Sequence, residues 1–186
     1  MDPIQILLEE HQLIRKALEN LALAMEMIEN DEKVSPVFFE KWREFYRSFI
    51  LDHHHFKEEF VMFRELAQKR KGVLDAQIDA LRNQHERGRN LMNEVSRSLK
   101  GYENDDPLDT STLLENFAAY TSLLRHHIHR EEEVYYPMVA ILFSEAEKKG
   151  LADAFQTENE KVPPQRRQWH IDVVNEMAQQ IVRPVA

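Results

Sequence analysis

Cysteine is absent from the 186 residues, which excludes disulfides, thiolate metal sites, cysteine-ligated iron–sulfur clusters and thiol catalysis. Any metal must therefore be held by nitrogen and oxygen. Glycine is scarce, with four residues, and proline modest, with seven. Beside abundant Leu, Glu, Ala, Lys, Arg and Gln, this favours helices over a many-stranded sheet. No apolar run approaches the ~18 residues of a transmembrane helix. The opening MDPIQILLEEH is acidic where a signal peptide would be basic, so the expected location is the cytoplasm. Blocks of Lys and Arg are missing too, and the formal charge is -9 at pH 7; neither nucleic acid nor an anionic membrane is expected as a partner. The length suits one domain with a sizeable core plus an added element, not two full domains.

What is present is helical periodicity. Positions 4, 7, 11, 14, 18, 21, 25 and 28 step by three and four and form one apolar stripe, except that position 11 is histidine. A second helix is predicted from about Pro36, a good first-turn residue, to about Lys69, with Gly72 as the stop. Its apolar positions include Phe38, Trp42, Phe45, Phe49, Phe56, Phe60 and Phe63. The third stripe, 74, 78, 81, 85, 88, 92, 95 and 99, again carries a histidine, His85. After the turn-and-cap cluster GYENDDPLDTS, the fourth stripe runs 113, 117, 120, 124, 127, 131, 134, 138 and 141, with His127 and Glu131 as misfits one turn apart. Four long amphipathic helices with short connections predict an all-α, antiparallel up-down-up-down four-helix bundle over residues 1–148. Residues 149–186 are read as an extension with one short helix, which carries Trp169, Val173, Met177 and Ile181 on one face and docks on the bundle or on a protein partner.

A seam histidine on three helices, together with Glu131, calls for an explanation. An ionised carboxylate in a bundle core costs several kcal/mol unless it is paired or metal-bound. The pattern also repeats: His11 is followed 43 residues later by His54-x-x-x-Glu58, and His85 is followed 42 residues later by His127-x-x-x-Glu131. Residues one turn apart share a helix face, so each pair presents one imidazole and one carboxylate to the same point. Two such halves make a pseudo-twofold site of four His and two Glu, suited to two first-row metal ions, iron being the usual occupant. Ferritin-like bundles use Glu-x-x-His instead, a spacing that is absent here.

The segments LLEEHQLIR, HHHFKEEFVMF, QHERGR and LLRHHIHREEEVYYP, in that order across residues 4–143, resemble the hemerythrin-like, or HHE cation-binding, family. The resemblance implies a non-haem di-iron centre, oxo- or hydroxo-bridged, with His11, His54, Glu58, His85, His127 and Glu131 as ligands. It also implies chemistry with dioxygen, peroxide or nitric oxide.

Two points stay open in the sequence. HHHFKEEF offers either His54 with Glu58 or His55 with Glu59, and neighbours on an α-helix point about 100° apart. The aromatic stripe itself reaches His53, whose partner four residues on is Lys57. Alignment with the family pattern favours His54 and Glu58, and a π-bulge would reconcile it with the stripe. The second point concerns Arg89, where oxygen-carrying hemerythrins place a further histidine. With four histidines, two metal positions stay open, and Arg89 either hydrogen-bonds an anionic oxygen species or, like Arg15 one turn after His11, pairs with a surface glutamate. His126, His129, Glu132 and Glu133 are expected to flank the site or face water.

The leading functional expectation is binding of dioxygen or a related small molecule for sensing, storage or detoxification. The alternatives are a di-iron enzyme reducing peroxide or nitric oxide, an iron-responsive interaction module acting through the C-terminal helix, and a metal-free bundle with buried ion pairs.

Overall fold

The protein, seen in a computed structural model, is described over residues 2–70 and 72–181; the end of the extension, 182–186, lies outside the described residues. Among the described residues every regular element is helical, and no helix is long and apolar enough to cross a membrane.

The first helix, α1 (Pro3–Glu29), starts where Asp2 accepts a hydrogen bond from the Ile4 amide and Pro3 sets the first turn. The second helical stretch opens as α2 (Pro36–Phe45), capped by Ser35. It continues through two π-helical segments, Tyr46–His55 and Lys57–Met62, and ends as α3 (Phe63–Lys69). Gly72 follows at φ +80°, a left-handed conformation suited to a glycine stop. Helix α4 (Asp75–Glu103) and helix α5 (Pro107–Arg130) pack along each other. The Asp106 side chain accepts from the amides of Leu108 and Asp109 to begin α5. A third π-helical segment, Glu131–Tyr135, leads into α6 (Tyr136–Leu142).

All eight positions of the third stripe are buried, as expected. The second and fourth stripes depart from expectation where the π-helical turns lie. Phe56 is half-buried and Phe60 is 59% exposed; Val134 and Ile141 also face solvent. A π turn holds one residue more than an α turn, so the inward face moves to His54, Glu58 and Met62 in one stretch and to Tyr135, Tyr136 and Val139 in the other.

Two apolar clusters fill the interior. One gathers Ile14, Leu18, Phe38, Trp42, Phe45, Met92, Phe117, Tyr120 and Leu124. The other gathers Leu7, Met62, Phe63, Leu81, Tyr135 and Val139. Each seam histidine falls in sequence between members of the two: His11 between Leu7 and Ile14, His54 between Ile50 and Met62, His85 between Leu81 and Met92, His127 between Leu124 and Tyr135. The polar residues thus form a belt between two dry layers.

The C-terminal extension contains two helices rather than one. Helix α7 (Glu145–Lys161), opened by a Ser144/Glu147 capping box, carries the chain through position 149. Helix α8 (Pro164–Gln180) lays Val173, Val174 and Met177 against α1 and α2. Asn20 donates to the Val174 carbonyl at 2.8 Å, Ser48 lies 3.1 Å from His170 Nε2, and Arg166 pairs with Glu44 while stacking on Trp169. Of the two docking surfaces left open by the sequence, the bundle takes this face. Met177 is fully buried. We therefore expect Met177→Ala to destabilise the protein by about 2–5 kcal/mol in denaturant unfolding; an unchanged midpoint would mean that α8 does not pack as described.

Candidate metal centre

The first π-helical segment ends in His53, His54 and His55, and all three are buried. On a straight α-helix no such run fits one seam; the wider turns bring His54 and His55 both to the bundle axis. Two groups of side chains place potential ligand atoms within 4.8 Å of one another: His11, His54, Glu58 and Glu131, and His55, Glu58, His85 and His127. The six residues expected from the sequence are all present in these groups. His55 is a seventh, treated in the sequence as exclusive with His54.

The imidazoles face each other in pairs. His11 Nε2 lies 3.0 Å from His54 Nε2, and His85 Nε2 lies 2.9 Å from His127 Nε2. Their other nitrogens are committed outward. His11 Nδ1 donates to Glu132 (2.8 Å), His54 Nδ1 to Glu10 (2.9 Å), His85 Nδ1 to Glu59 (2.7 Å) and His127 Nδ1 to the Gln84 side-chain oxygen (2.8 Å). An Nδ1–H held this way leaves a lone pair on Nε2 of the neutral ring. Two lone pairs at about 3 Å repel unless a proton or metal cation sits between them. The carboxylates complete the cross-links: Glu131 approaches His11 at 3.3 Å and His127 at 3.1 Å, and Glu58 approaches His54 at 3.8 Å and His85 at 3.5 Å. Each carboxylate thus touches one imidazole of either pair.

Both carboxylates are fully buried. Glu58 accepts a 2.6 Å hydrogen bond from the Tyr136 hydroxyl on one oxygen, while its other oxygen, both oxygens of Glu131 and His55 Nε2 have no hydrogen-bond partner. Buried polar atoms are nearly always satisfied, and these unsatisfied ones converge on the same two points. A pair of first-row cations with nitrogen and oxygen preference fits that donor set. Burial, reinforced by the charge of Glu131, raises the Glu58 pKa well above the carboxylate range. For Glu131, burial is outweighed by His127 and His11, and its pKa falls well below that range. Burial also drives the His54 pKa down to about 4 and lowers that of His55, which favours neutral rings there, whereas at His11 burial is outweighed by Glu131 and Glu132 and the pKa rises.

Arg89 is resolved in favour of the ion pair. Its guanidinium bonds Glu59 at 3.2 Å and Glu86 at 2.9 Å. Arg15 likewise forks onto Glu132 at 2.8 and 2.7 Å. Glu59 and Glu132, both half-buried, hold imidazoles of the two groups, whereas His126, His129 and Glu133 are exposed. Gly88 packs against the Tyr120 ring, which a Cβ would meet at 3.4 Å, an ordinary contact. The gap beside it, a cavity of about 10 Å³ bordered by His55, His85 and His127, is water-sized.

Sequence reasoning weighed His55 only as an alternative to His54, and it gave the carboxylates no place behind the imidazoles. A finer repeat carries the signal for most of them. EHQLIR at 10–15 matches QHERGR at 84–89, and HHFKEE at 54–59 matches HIHREE at 127–132. Glu10 and Gln84, Arg15 and Arg89, and Glu59 and Glu132 are thereby paired.

A family model described as the hemerythrin HHE cation binding domain matches residues 2–139. Curated relatives from Mycobacterium bovis and Mycobacterium tuberculosis, each described as an uncharacterized protein, are 27% identical over 155 residues. That match takes in 83% of this chain and 60% of theirs, so the chain spans less than two thirds of their length. No solved structure matches.

Glu58→Gln separates a metal centre from a polar core. Because the metal-free protein gains nothing from ionising Glu58, its unfolding midpoint at neutral pH is expected to stay level or rise, while metal content falls. A marked loss of metal-free stability would contradict this picture.

Proposed function

We propose, on the premise that the chain belongs to the hemerythrin HHE cation-binding domain family, that it holds two iron ions and binds dioxygen or a related small molecule, peroxide or nitric oxide, for sensing, storage or detoxification. The observation that carries this reading is the way Glu58 and Glu131 each reach one imidazole of both facing pairs. His11 and His54 would hold one ion, His55, His85 and His127 the other, and the two carboxylates both. Bound there, iron supplies exchangeable coordination positions and a change of oxidation state.

The same reading takes the four long helical stretches as an antiparallel up-down-up-down bundle. Its support is the order of the dry layers along the chain: α1 and α4 pass from the Leu7–Leu81 cluster to the Ile14–Met92 cluster, and the second and fourth stretches pass back. Short connections at 30–35 and at 104–106 fit alternate directions.

Five imidazole nitrogens and four carboxylate oxygens are available, against about twelve bonds for two six-coordinate ions. Counting His55 leaves fewer positions open than the four-histidine set, with the shortfall at the His11–His54 end. This favours reversible binding over turnover. The enzymatic alternative drew on a second open position and on Arg89, and His55 and the Glu59 ion pair weaken both. The protein's own residues shape the binding space. Tyr136 presents its hydroxyl between Glu58 and His11, 3.4 Å from the His11 Nε2, and Tyr135 and Phe63 close the belt on that side. The ligand groups are buried, which excludes bulk water and limits loss of a bound oxygen species. The cytoplasmic setting remains part of this proposal.

Elemental analysis of the purified protein tests it. About two irons per chain are expected, with a visible absorption that changes on anaerobic reduction and returns on readmission of air. His127→Ala or Glu131→Ala should lose most of the metal, because the remaining ligands would be buried without a complete set. Wild-type metal content in either variant would show the site to be misassigned. Sustained consumption of peroxide or nitric oxide would favour the enzyme.

A further inference from the structure

The two halves of the centre are not equivalent, and the differences cluster on one side. Where the second half has Gln84, Ile128 and Arg130, the first has Glu10, His55 and Lys57. Arg130 is exposed. Lys57 is completely buried, a rare setting for an ammonium group. Its Nζ is bonded to Glu10, lies 3.1 Å from His53 Nε2 and donates to Asn159 Oδ1 at 3.0 Å. The Phe155 ring, also fully buried, sits 6.0 Å from the same nitrogen. Asn159 and Phe155 belong to α7, outside the matched family region.

Glu10 is the acceptor for His54 Nδ1. A carboxylate behind a ligating imidazole fixes the ring and raises its basicity. Glu10 can do so while buried only if its own charge is balanced, and Lys57 balances it. Lys57 in turn stays at Glu10 because α7 supplies its remaining hydrogen bond and an apolar lid. Beside this cluster lies a cavity of about 550 Å³, lined by Glu10, His53, Asn159 and Arg167. Glu10 already borders that cavity, and without the α7 residues its water would reach the lysine as well.

We propose that α7 is a retention clamp for one of the two metal ions, the one held by His11 and His54, acting through Asn159, Lys57 and Glu10 on the His54 ring. The inference rests on the di-iron reading above. The ion held by His55, His85 and His127 has Gln84 and Glu59 behind its imidazoles, in place of Glu10 and Lys57, so in this scheme it is independent of the clamp. Lys57, Glu10 and Asn159 are positioning residues in this scheme.

The test is iron release from loaded, full-length protein to a ferrous chelator in excess. Wild type should release its iron in two phases. Asn159→Ala and Phe155→Ala should accelerate one phase by about 10–100-fold, the range for losing the support behind a metal-ligating imidazole, and leave the other unchanged. Lys57→Met combined with Glu10→Gln, which leaves no unpaired buried charge, should do the same. Met177→Ala, which loosens the extension in α8 without touching Lys57, should not produce selective acceleration. If the variants leave both phases unchanged, or speed both equally, the clamp is overturned while the di-iron reading stands. If wild type takes up no iron, both fall.

Discussion

Glu58 and Glu131 lie fully buried at the centre of the helical bundle, surrounded by imidazole nitrogens whose hydrogens point away. An anion in that setting costs several kcal/mol unless a cation offsets it. The imidazoles add to the demand, because four of them have their Nδ1–H committed to Glu10, Glu59, Gln84 and Glu132 and so aim lone pairs at one another. Metal ions satisfy both requirements at once. Much of the surrounding structure follows from holding these groups in place. The apolar clusters above and below keep the belt dry, and the ion pairs of Arg15 and Arg89 anchor the carboxylates that fix the rings.

The π-helical turns are the local device that makes the ligand set possible. An α-helix gives one seam position per turn, and the tripeptide His53–His54–His55 would send two of its rings elsewhere. With the turn widened, His54 serves one group and His55 the other, while His53 joins Glu10 and Lys57 at the adjoining cluster. A matching π turn after Glu131 reorients Tyr135 and Tyr136, and the latter's hydroxyl then meets Glu58. The distortion costs the outer residues their burial, which is why Phe60 and Ile141 face solvent.

Much of this was legible in the sequence. The stripes of α1 and α4 run through long uninterrupted α-helices; that of α4 is buried throughout, and that of α1 is buried from Leu7 to Leu21 and half-buried at Ile4, Met25 and Ile28. The pairing of His-x-x-x-Glu with an upstream seam histidine was legible because both spacings recur. The second and fourth stripes were legible only as far as the π turns, since a 3.6-residue period cannot register an extra residue. For the same reason His55 could be read only as an alternative to His54, not as its companion. The motif and the aromatic stripe pointed to His54 and His53, and the structure buries both with His55 alongside. Glu59 read only as the alternative partner of His55 and Glu132 as flanking the site or facing water, because the imidazoles they hold lie on other helices and no spacing within one helix reveals them. The extension's role was the least legible, since Lys57 reads as an ordinary charged residue until Asn159 and Phe155 are placed against it.

The chain thus joins a repeated metal-binding pattern to an asymmetric surround. The central claim is that Glu58 and Glu131 span two cations of unequal ligand sets. Its most direct test is anomalous scattering at the iron edge from crystals of the iron-loaded protein. The account predicts two peaks roughly 3.5 Å apart, one against His11 and His54, the other against His55, His85 and His127. A single peak, or none with Glu58 and Glu131 hydrogen-bonded to the histidines, would contradict it.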